Sequence, residues 1–456
     1  MYPQCGRYVC SLALPPTGRI AGRIRCYKTI LGAVVDIVEN ASGDASVKKP
    51  GRIEPGMLAF RKPGSERWLP LDERALKSCR IEAGGALSAE EQEALSKNRT
   101  QLADALTSGL QMPNPIVLAG SGTSLKGGVN GPSMGDLWVA TMCKQSGQQV
   151  ELTAEANAIC EKVGFAFDNA NIEHFLSRCD AYLSIYDDEQ VSNFIVRCKA
   201  TILGMCSEFV EKANLSGHEV FLQKIARRRT RDARLKIFTT NYDLCFEVAA
   251  SNLGMMVVDG FSYGRHRRFD PSYFQYDFVR RSDESQEFLE GVIHLAKLHG
   301  SVSWERDSKG DVHEKPAPDP AHACLIYPTK GKYQQAFVQP HLELLSRFLD
   351  SLRKPNTCVV ISGFGFNDDH LSEPLVSAIK SNPSLKVFVA DFCAVDHTDS
   401  DYMRENYWHE LSDLAKKGLP VYFINASFQD FAGLIPDLKA LTPAEQMANA
   451  VRRVRG

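Results

Sequence analysis

Four short segments of this chain place glycine or polar residues directly after an apolar run. They lie at positions 120–124 (GSGTS), 239–243 (TTNYD), 299–301 (HGS) and 363–370 (GFGFNDDH). An apolar run that ends in this way is typical of a buried parallel strand, and the ligands of parallel sheets gather at the carboxyl ends of the strands. The four segments are therefore candidates for one shared pocket.

The two glycine-rich segments could hold phosphate groups. Small residues let backbone N–H groups approach a pyrophosphate closely, although a plain tight turn uses the same residues. Two loops of this kind in one sheet favour the two ends of a dinucleotide over a pair of turns. The candidate binding residues in these loops are Gly120, Ser121, Gly122, Thr123, Ser124, Gly363, Phe364 and Gly365.

Asn241, Asp243 and His299 add an amide, a carboxylate and an imidazole to the predicted pocket. Each has a structural alternative: Asn241 or Asp243 could cap the helix that follows, and His299 could be a hydrogen-bonded core histidine. As a set they suit cleavage of an N-glycosidic bond to a pyridinium ring. An imidazole with a pKa near ~6.5 can accept a proton from water or from a ribose hydroxyl, and an amide can hold the water without titrating.

The periodicity of the flanking sequence predicts an α/β fold, with a Rossmann-like parallel sheet and helices on both faces. Strands are predicted at 115–119, 235–238, 296–299, 358–361, 385–390 and 421–424. Ser88 and Glu91 predict the start of a helix, and residues of about 140–230 have the 3.6-residue period of a helical insertion or cap. We expect an N-terminal extension of uncertain order at 1–90, a nucleotide-binding domain at 91–440 and a tail at 441–456.

The composition argues against several classes of protein. With 53 basic and 55 acidic side chains, the chain has no net field that would draw it onto nucleic acid or an anionic membrane. The basic clusters at 227–231 and 265–268 are expected to be solvated. No apolar run reaches the roughly 18 to 20 residues that span a bilayer. The 13 cysteines include no C-x-x-C pair, which favours reduced thiols in a cytoplasmic protein over a disulfide or zinc framework.

These segments resemble the SIR2 family, and the similarity is greatest to the SIR2-like domains of bacterial antiphage defence systems. Segment 120–124 is similar to the sirtuin Gly-Ala-Gly-x-Ser loop, 239–243 to the sirtuin Thr-Gln-Asn-Ile-Asp sequence, and 298–301 to the sirtuin His-Gly segment. The stretches that resemble the defence-type branch are 131–138, 171–173, 298–304, 326–329 and 363–370. The resemblance runs in the same order from about residue 115 to residue 425.

The resemblance implies a role for each segment. Asn241 and His299 would be the catalytic pair, and residues 120–124 would hold the pyrophosphate of NAD⁺. Asp243 would lie near the nicotinamide amide, and residues 363–368, which end at Asp368, would lie by the adenosine half.

The chain also departs from the protein deacylases of this family. Thr240 stands where they have Gln, and their four-cysteine zinc module after the His-Gly segment is missing from this sequence. Because that module helps to form the groove for an acyl-lysine peptide, its loss favours water as the acceptor. The resemblance therefore implies an NAD⁺ hydrolase without a metal, which releases nicotinamide and ADP-ribose and depletes NAD⁺ in an infected cell.

Two other classes of function stay open. A protein ADP-ribosyltransferase or deacylase would need an acceptor groove beside His299, whereas a non-catalytic nucleotide sensor would tolerate the loss of Asn241 or His299. Because no phage sensor is recognisable, we expect a homo-oligomer or a partner such as an ATPase or an Argonaute-like protein. Asp391 ends a predicted strand and is a candidate to bind a ribose hydroxyl, which would disfavour the 2′-phosphate of NADP⁺.

Overall fold

The computed structural model describes residues 52–80, 86–146, 149–165, 171–226, 228, 232–281, 286–325, 339–399 and 407–438. Several features of the sequence lie outside these residues: the first 51 residues of the predicted extension, the segment 326–329, the predicted tail at 441–456 and, apart from Arg228, the basic cluster at 227–231.

The described strands are β1 (Ala59–Arg61), β2 (Leu69–Pro70), β3 (Asn114–Ala119), β4 (Cys143–Ser146), β5 (Gln149–Leu152), β6 (Leu235–Thr239), β7 (Met256–Val258), β8 (Val279–Arg281), β9 (Gln286–Phe288), β10 (Val292–Lys297), β11 (Gly300–Arg306), β12 (Val312–Glu314), β13 (Ala323–Leu325), β14 (Thr357–Ser362), β15 (Leu385–Asp391) and β16 (Val421–Asn425).

The described helices are α1 (Glu73–Ser78), α2 (Ala89–Leu110), α3 (Met134–Met142), α4 (Ala154–Val163), α5 (Ile172–Leu183), α6 (Glu189–Glu208), α7 (Ser216–Ile225), α8 (Cys245–Asn252), α9 (His341–Arg353), α10 (Asp369–Ser381), α11 (Ala394–His397), α12 (Tyr407–Lys416) and α13 (Phe428–Leu434). Helix α2 begins at the predicted capping box of Ser88 and Glu91. Among the described helices, none has the length and apolar character needed to cross a membrane.

Nine strands form one sheet in the order β2-β1-β16-β15-β14-β3-β6-β10-β7. The strands from β16 to β7 are parallel, whereas β1 runs antiparallel to both β16 and β2. The predicted α/β fold class is therefore confirmed. Strand β3 has β6 on one side and β14 on the other, so the carboxyl ends of β3 and β14 flank a topological switch point, where ligands of such sheets bind.

Both faces of the parallel strands are buried, as their continuous apolar runs predict. On β3, Ile116 and Leu118 belong to a core shared with helices α9, α10 and α12. Val117 belongs to a second core shared with α2, α7, α8 and α13. Because successive residues of a strand point to opposite faces, these two cores are the two helical layers that enclose the sheet.

Helices α3 to α6 form a third apolar cluster outside the two main cores, and this unit is called the helical cap below. The cluster is joined to the body of the protein through Tyr242 and Val302. The cap corresponds to the helical insertion that the sequence predicts at about 140–230. Two details differ: the cap begins earlier, at Met134, and it contains the hairpin β4–β5. Helix α7 packs in the body with α8 and α13.

Residues 52–80 contribute to the main sheet, which the sequence did not indicate. Strand β1 pairs with β16, and Phe60 of β1 is 1% exposed. The side-chain Nδ2 of Asn425 donates to the backbone carbonyls of Glu54 and Met57, at 3.1 and 2.8 Å. The described part of the predicted extension therefore covers the β16 edge of the sheet, which would otherwise expose unpaired backbone groups.

Candidate active site

The loops that follow β3 and β14 are in direct backbone contact. The N–H groups of Gly120 and Gly122 donate to the carbonyls of Ser362 (3.0 Å) and Gly363 (2.9 Å). A Cβ atom on Gly122 would lie 2.6 Å from the Cα of Gly363, so this approach requires glycine. Gly363 has a φ of +60°, in the left-handed region that glycine adopts without strain. The two predicted dinucleotide loops therefore form one continuous surface at the switch point.

Asn241 lies in the loop after β6 and is held by three hydrogen bonds. Its Nδ2 donates to Oγ1 of Thr123 (3.1 Å) and Oγ of Ser124 (3.2 Å), and its backbone N–H donates to Oγ1 of Thr239 (3.1 Å). Its buried Oδ1 has no hydrogen-bond partner within the described part of the chain. Leaving a buried carbonyl unpaired costs about 1–3 kcal/mol, so Oδ1 is ready to accept a hydrogen bond from a ligand or a water.

Asp243 ties the same loop to the β3 loop and to helix α8. Its Oδ2 accepts a hydrogen bond from Oγ of Ser124 (2.9 Å), and its Oδ1 accepts one from the N–H of Cys245 (3.0 Å). Cys245 is the first residue of α8 and Leu244 is its N-cap, so Asp243 stands one position before the cap and bonds the first N–H of the helix. Behind the loop, the ammonium of Lys297 donates to the backbone carbonyl of Asp243 and forms a 3.0 Å ion pair with Glu247.

His299 follows β10 and is 2% exposed. Its Nε2 lies 3.2 Å from Nε2 of His370, in the first turn of α10. The next residue, Gly300, has a φ of +95°, and a Cβ atom there would lie 2.0 Å from the carbonyl oxygen of Cys324, so the turn that aims the imidazole requires glycine. Burial, with smaller contributions from His370 and His341, lowers the pKa of His299 well below its ordinary value. The imidazole is therefore neutral at pH 7 and can accept a proton.

A pocket of about 200 Å³ brings these groups together between the sheet and the helical cap. The predicted site residues that line it are Gly120, Ser121, Ser124, Asn241, Asp243, His299, Gly363, Phe364, Gly365 and Asp368. Gly122 and Thr123 are not part of the lining, and Thr123, which is 1% exposed, supports Asn241 from below. All four segments that the sequence singled out therefore meet at one pocket.

A larger cavity of about 850 Å³ lies between β1, β2, helix α2 and helix α11. Its lining includes none of the predicted site residues. The candidate active site is therefore identified by the predicted site residues that line the smaller pocket, and not by the size of the cavity.

Asp391 lies apart from the candidate active site. It ends β15, and its Oδ1 accepts a hydrogen bond from the N–H of Cys393 (2.8 Å) and lies 3.7 Å from Nε2 of His397. Its carboxylate does not line the pocket. Its role at a ribose hydroxyl stays a prediction.

The helical cap supplies pocket residues to which the sequence analysis gave no role in a site: Met134, Leu137, Asn171, Glu173, Cys206 and Phe209. Met134, Leu137, Asn171 and Glu173 lie in the segments 131–138 and 171–173 that resemble the defence-type branch, and Oδ1 of Asn171 caps helix α5 by accepting from the N–H groups of Glu173 (2.9 Å) and His174 (3.1 Å). Cys206 of α6 and Phe209, which follows α6, reach the pocket through the folding of the cap over the sheet. That arrangement leaves no trace in the local periodicity of the sequence.

Two carboxyl groups in the pocket have raised pKa values. Glu173 accepts a 3.0 Å hydrogen bond from the hydroxyl of Tyr242. Burial and, to a smaller extent, the charge of Asp368 raise the pKa of Glu173 to about 8. Burial, with a smaller contribution from Asp369, raises the pKa of Asp368 to about 7. Glu173 is therefore mostly protonated near neutral pH, and Asp368 is divided between its two forms.

The carboxylate of Asp368 lies beside the proposed catalytic imidazole. His299, Asp368 and His370 offer metal-ligating atoms that all lie within 4.8 Å of one another. The resemblance implies a position for Asp368 by the adenosine half, and that role stays a prediction. A second group with similar spacing, Asp307, Asp311 and His313, lies in and beside the β11–β12 turn, away from the pocket lining.

Residues 235–430 match the family model of the SIR2-like domain. The matched region contains Asn241, His299 and the loop after β14, whereas the loop after β3 precedes it. The match supports the resemblance to the SIR2 family, and the defence-type branch stays a prediction. No curated protein sequence matches the chain.

Two solved structures with detectable similarity are Sir2 proteins. A mutant Sir2 homologue in complex with ADP-ribose is 12% identical, over 69% of this chain and 95% of that chain, with a TM-score of 0.29. A mutant Sir2 with a deacetylated p53 peptide and 3′-O-acetyl ADP-ribose is 12% identical, over 74% of this chain and 96% of that chain, with a TM-score of 0.31.

Proposed function

We propose that this chain hydrolyses NAD⁺ to nicotinamide and ADP-ribose. The observation that carries the proposal is that the unpaired Oδ1 of Asn241 and the neutral imidazole of His299 belong to one pocket. The same pocket is lined by the two glycine-rich loops at the switch point of the sheet. The match of residues 235–430 to the SIR2-like domain supports NAD⁺ as the substrate.

The proposed reaction assigns NAD⁺ binding to the two glycine-rich loops, and the placement and deprotonation of the attacking water to Asn241 and His299. The glycines of the loops after β3 and β14 let the backbone approach the pyrophosphate closely. As the nicotinamide–ribose bond breaks, the bonding electron pair leaves with the nicotinamide, which becomes neutral, and the ribose becomes cationic. Oδ1 of Asn241 accepts a hydrogen bond from a water and so directs its lone pair at the ribose carbon. His299 takes the proton that this water loses.

Water is the proposed acceptor because of the segment that follows His299. The sequence has no C-x-x-C pair after the His-Gly segment, where the resemblance places the zinc module of the deacylases. In this chain the residues that follow His299 form the small antiparallel sheet β12-β11-β13 instead.

The test measures NAD⁺, nicotinamide and ADP-ribose by chromatography after incubation with the purified chain. We expect equal amounts of both products from the wild type and a loss of at least about 100-fold in the His299→Ala variant. His322→Ala is the matched control because His322 is exposed and lies outside the pocket lining. If ADP-ribose is found attached to protein, the reaction is transfer and not hydrolysis. If His299→Ala cleaves NAD⁺ at the wild-type rate, catalysis at this site is rejected.

We further propose that the hydrolase acts in antiphage defence by depleting NAD⁺ in the cytoplasm, as a homo-oligomer or with a partner protein. This part rests on the resemblance to the defence-type branch. The test compares NAD⁺ content and phage titre in cells that express the wild type or His299→Ala, with and without phage challenge. Protection that does not depend on His299 would contradict the proposal, and a monomer at all concentrations would contradict the homo-oligomer.

A further inference from the structure

His299, Asp368 and His370 are arranged as a set of metal ligands would be. The two Nε2 atoms lie 3.2 Å apart, and the rings are inclined by 30° with their centroids 5.3 Å apart. A carboxylate oxygen of Asp368 lies within 4.8 Å of a ring nitrogen of each histidine. The three residues come from two places in the fold, the end of β10 and the start of α10, so the cluster is a product of tertiary structure.

Asp368 has the position of a helix cap without its usual hydrogen bonds. It is the N-cap residue of α10, yet its side chain accepts no hydrogen bond from the first turn of that helix. No salt bridge to Asp368 occurs among the described residues. The carboxylate instead lines the pocket, where a bound cation can reach it. The oxygens of Asp368 are therefore not committed to the first turn of α10.

The distances agree with the bond lengths of a divalent transition metal. Zn²⁺ binds imidazole nitrogen and carboxylate oxygen at about 2.0–2.2 Å, so neighbouring ligand atoms in a tetrahedral site lie about 3.4 Å apart. The separation of the two Nε2 atoms, 3.2 Å, is already close to this value. The carboxylate oxygen of Asp368 lies within 4.8 Å of a ring nitrogen of each histidine, so it is near enough to join the same coordination shell. His299 and Asp368, two of the three residues, line the pocket.

We propose that His299, Asp368 and His370 form a transition-metal site, with Zn²⁺ as the preferred ion, and that occupancy of this site blocks the cleavage of NAD⁺. Zn²⁺ uses the Nε2 lone pair of His299, which is then no longer available to accept a proton. Imidazole nitrogens disfavour Mg²⁺ and Ca²⁺, which take oxygen ligands. The inhibitory part rests on the proposed function, whereas the binding part does not.

The binding test titrates the chelator-treated full-length chain with Zn²⁺ by calorimetry and with Co²⁺ by visible absorption. We expect the wild type to bind one more equivalent of Zn²⁺, or of Co²⁺, than the His370→Ala variant binds. The matched control is His313→Ala, which removes the histidine of the second cluster, with Asp307 and Asp311, and should keep that equivalent. Asp368→Asn, a variant of nearly the same shape, should weaken the affinity by at least about 10-fold.

Circular dichroism and thermal melting establish that the variants fold. Equal stoichiometry and affinity in the wild type and in His370→Ala would overturn the proposal, and so would loss of the equivalent in His313→Ala alone.

The activity test adds Zn²⁺ or Mg²⁺ to the wild-type chain and follows nicotinamide release. We expect Zn²⁺ to inhibit with a midpoint equal to its dissociation constant, a chelator to restore the rate, and Mg²⁺ to have no effect. If the Zn²⁺ equivalent depends on His370 but NAD⁺ is never cleaved, the metal site stands and the proposed function fails. If NAD⁺ is cleaved and Zn²⁺ neither binds at His370 nor inhibits, the proposed function stands and this inference fails.

Discussion

Nδ2 of Asn241 donates a 3.2 Å hydrogen bond to Oγ of Ser124, and this bond determines which end of the amide faces the pocket. The other amide hydrogen goes to Oγ1 of Thr123 at 3.1 Å. Because both hydrogens are used, Oδ1 is the atom left for a ligand. Two hydroxyl groups that follow β3 therefore orient an amide that follows β6.

The Asn241→Ala variant should lose NAD⁺ cleavage while keeping its fold. Removing the oxygen that directs the water should lower kcat by about 10²- to 10⁴-fold, the range usual for a group that positions or transfers a proton. The measurement is nicotinamide release, with a thermal melt to check the fold. Asn252→Ala, at the end of α8, is the control and should keep the wild-type rate. A folded Asn241→Ala variant with full activity would contradict the assignment.

The Gly122→Ala variant should weaken both folding and nucleotide binding. The added Cβ would lie 2.6 Å from the Cα of Gly363, so one of the two loops must move, at a cost of about 1–3 kcal/mol. Urea denaturation and NAD⁺ binding would measure the two effects. The matched control is Gly433→Ala in α13, where a Cβ meets no atom within 4 Å and should raise the free energy of unfolding by up to about 1 kcal/mol. If Gly122→Ala and Gly433→Ala had the same free energy of unfolding and the same NAD⁺ affinity, the two loops would have to move apart at little cost.

His218 should make the protein less stable in acid. It is 0% exposed, packs between the rings of Phe246 and Phe428, and neither ring nitrogen has a partner among the described residues. Burial lowers its pKa to about 4. The unfolded chain binds a proton near pH ~6.5 and the folded chain does not, so stability is unaffected above ~6.5 and falls as the pH drops from there towards 4.

Replacing this histidine by leucine tests the sign of the effect. At about pH 5 the single histidine should cost the wild type about 2 kcal/mol relative to neutral pH. The His218→Leu variant should therefore lose less of its free energy of unfolding between about pH 7.5 and pH 5, as measured by urea denaturation at both values. An identical pH dependence in the two proteins would mean that His218 is protonated in the folded state.

Phe60 should be part of the same cooperative unit as the parallel sheet. It is 1% exposed on β1, and its replacement by alanine should cost about 3–5 kcal/mol in one unfolding transition. Ile185→Ala, at a side chain that is 75% exposed, should change stability by less than about 0.5 kcal/mol. A separate, earlier transition in Phe60→Ala would instead support the predicted division of the chain near residue 90.

The sequence predicted the parts of the site that follow parallel strands. Asn241, His299 and the two glycine-rich loops could be placed in one pocket because parallel strands end at the same edge of a sheet. Cys206 and Phe209 could not, since the packing of the helical cap on the sheet decides which side chains in this region reach the pocket. Strand β1 is three residues long, too short to show a periodicity, and its pairing with β16 joins residues that are distant in the chain.

Tyr242 stands between Asn241 and Asp243 in the chain, and its hydroxyl is bonded to Glu173 of the helical cap. The loop that carries the amide and the outer layer of helices are thus mechanically continuous. We therefore expect a change in the position of the cap to be felt by the loop that carries Asn241, since Tyr242 joins the two layers by this 3.0 Å hydrogen bond and by its packing in the apolar cluster of the cap.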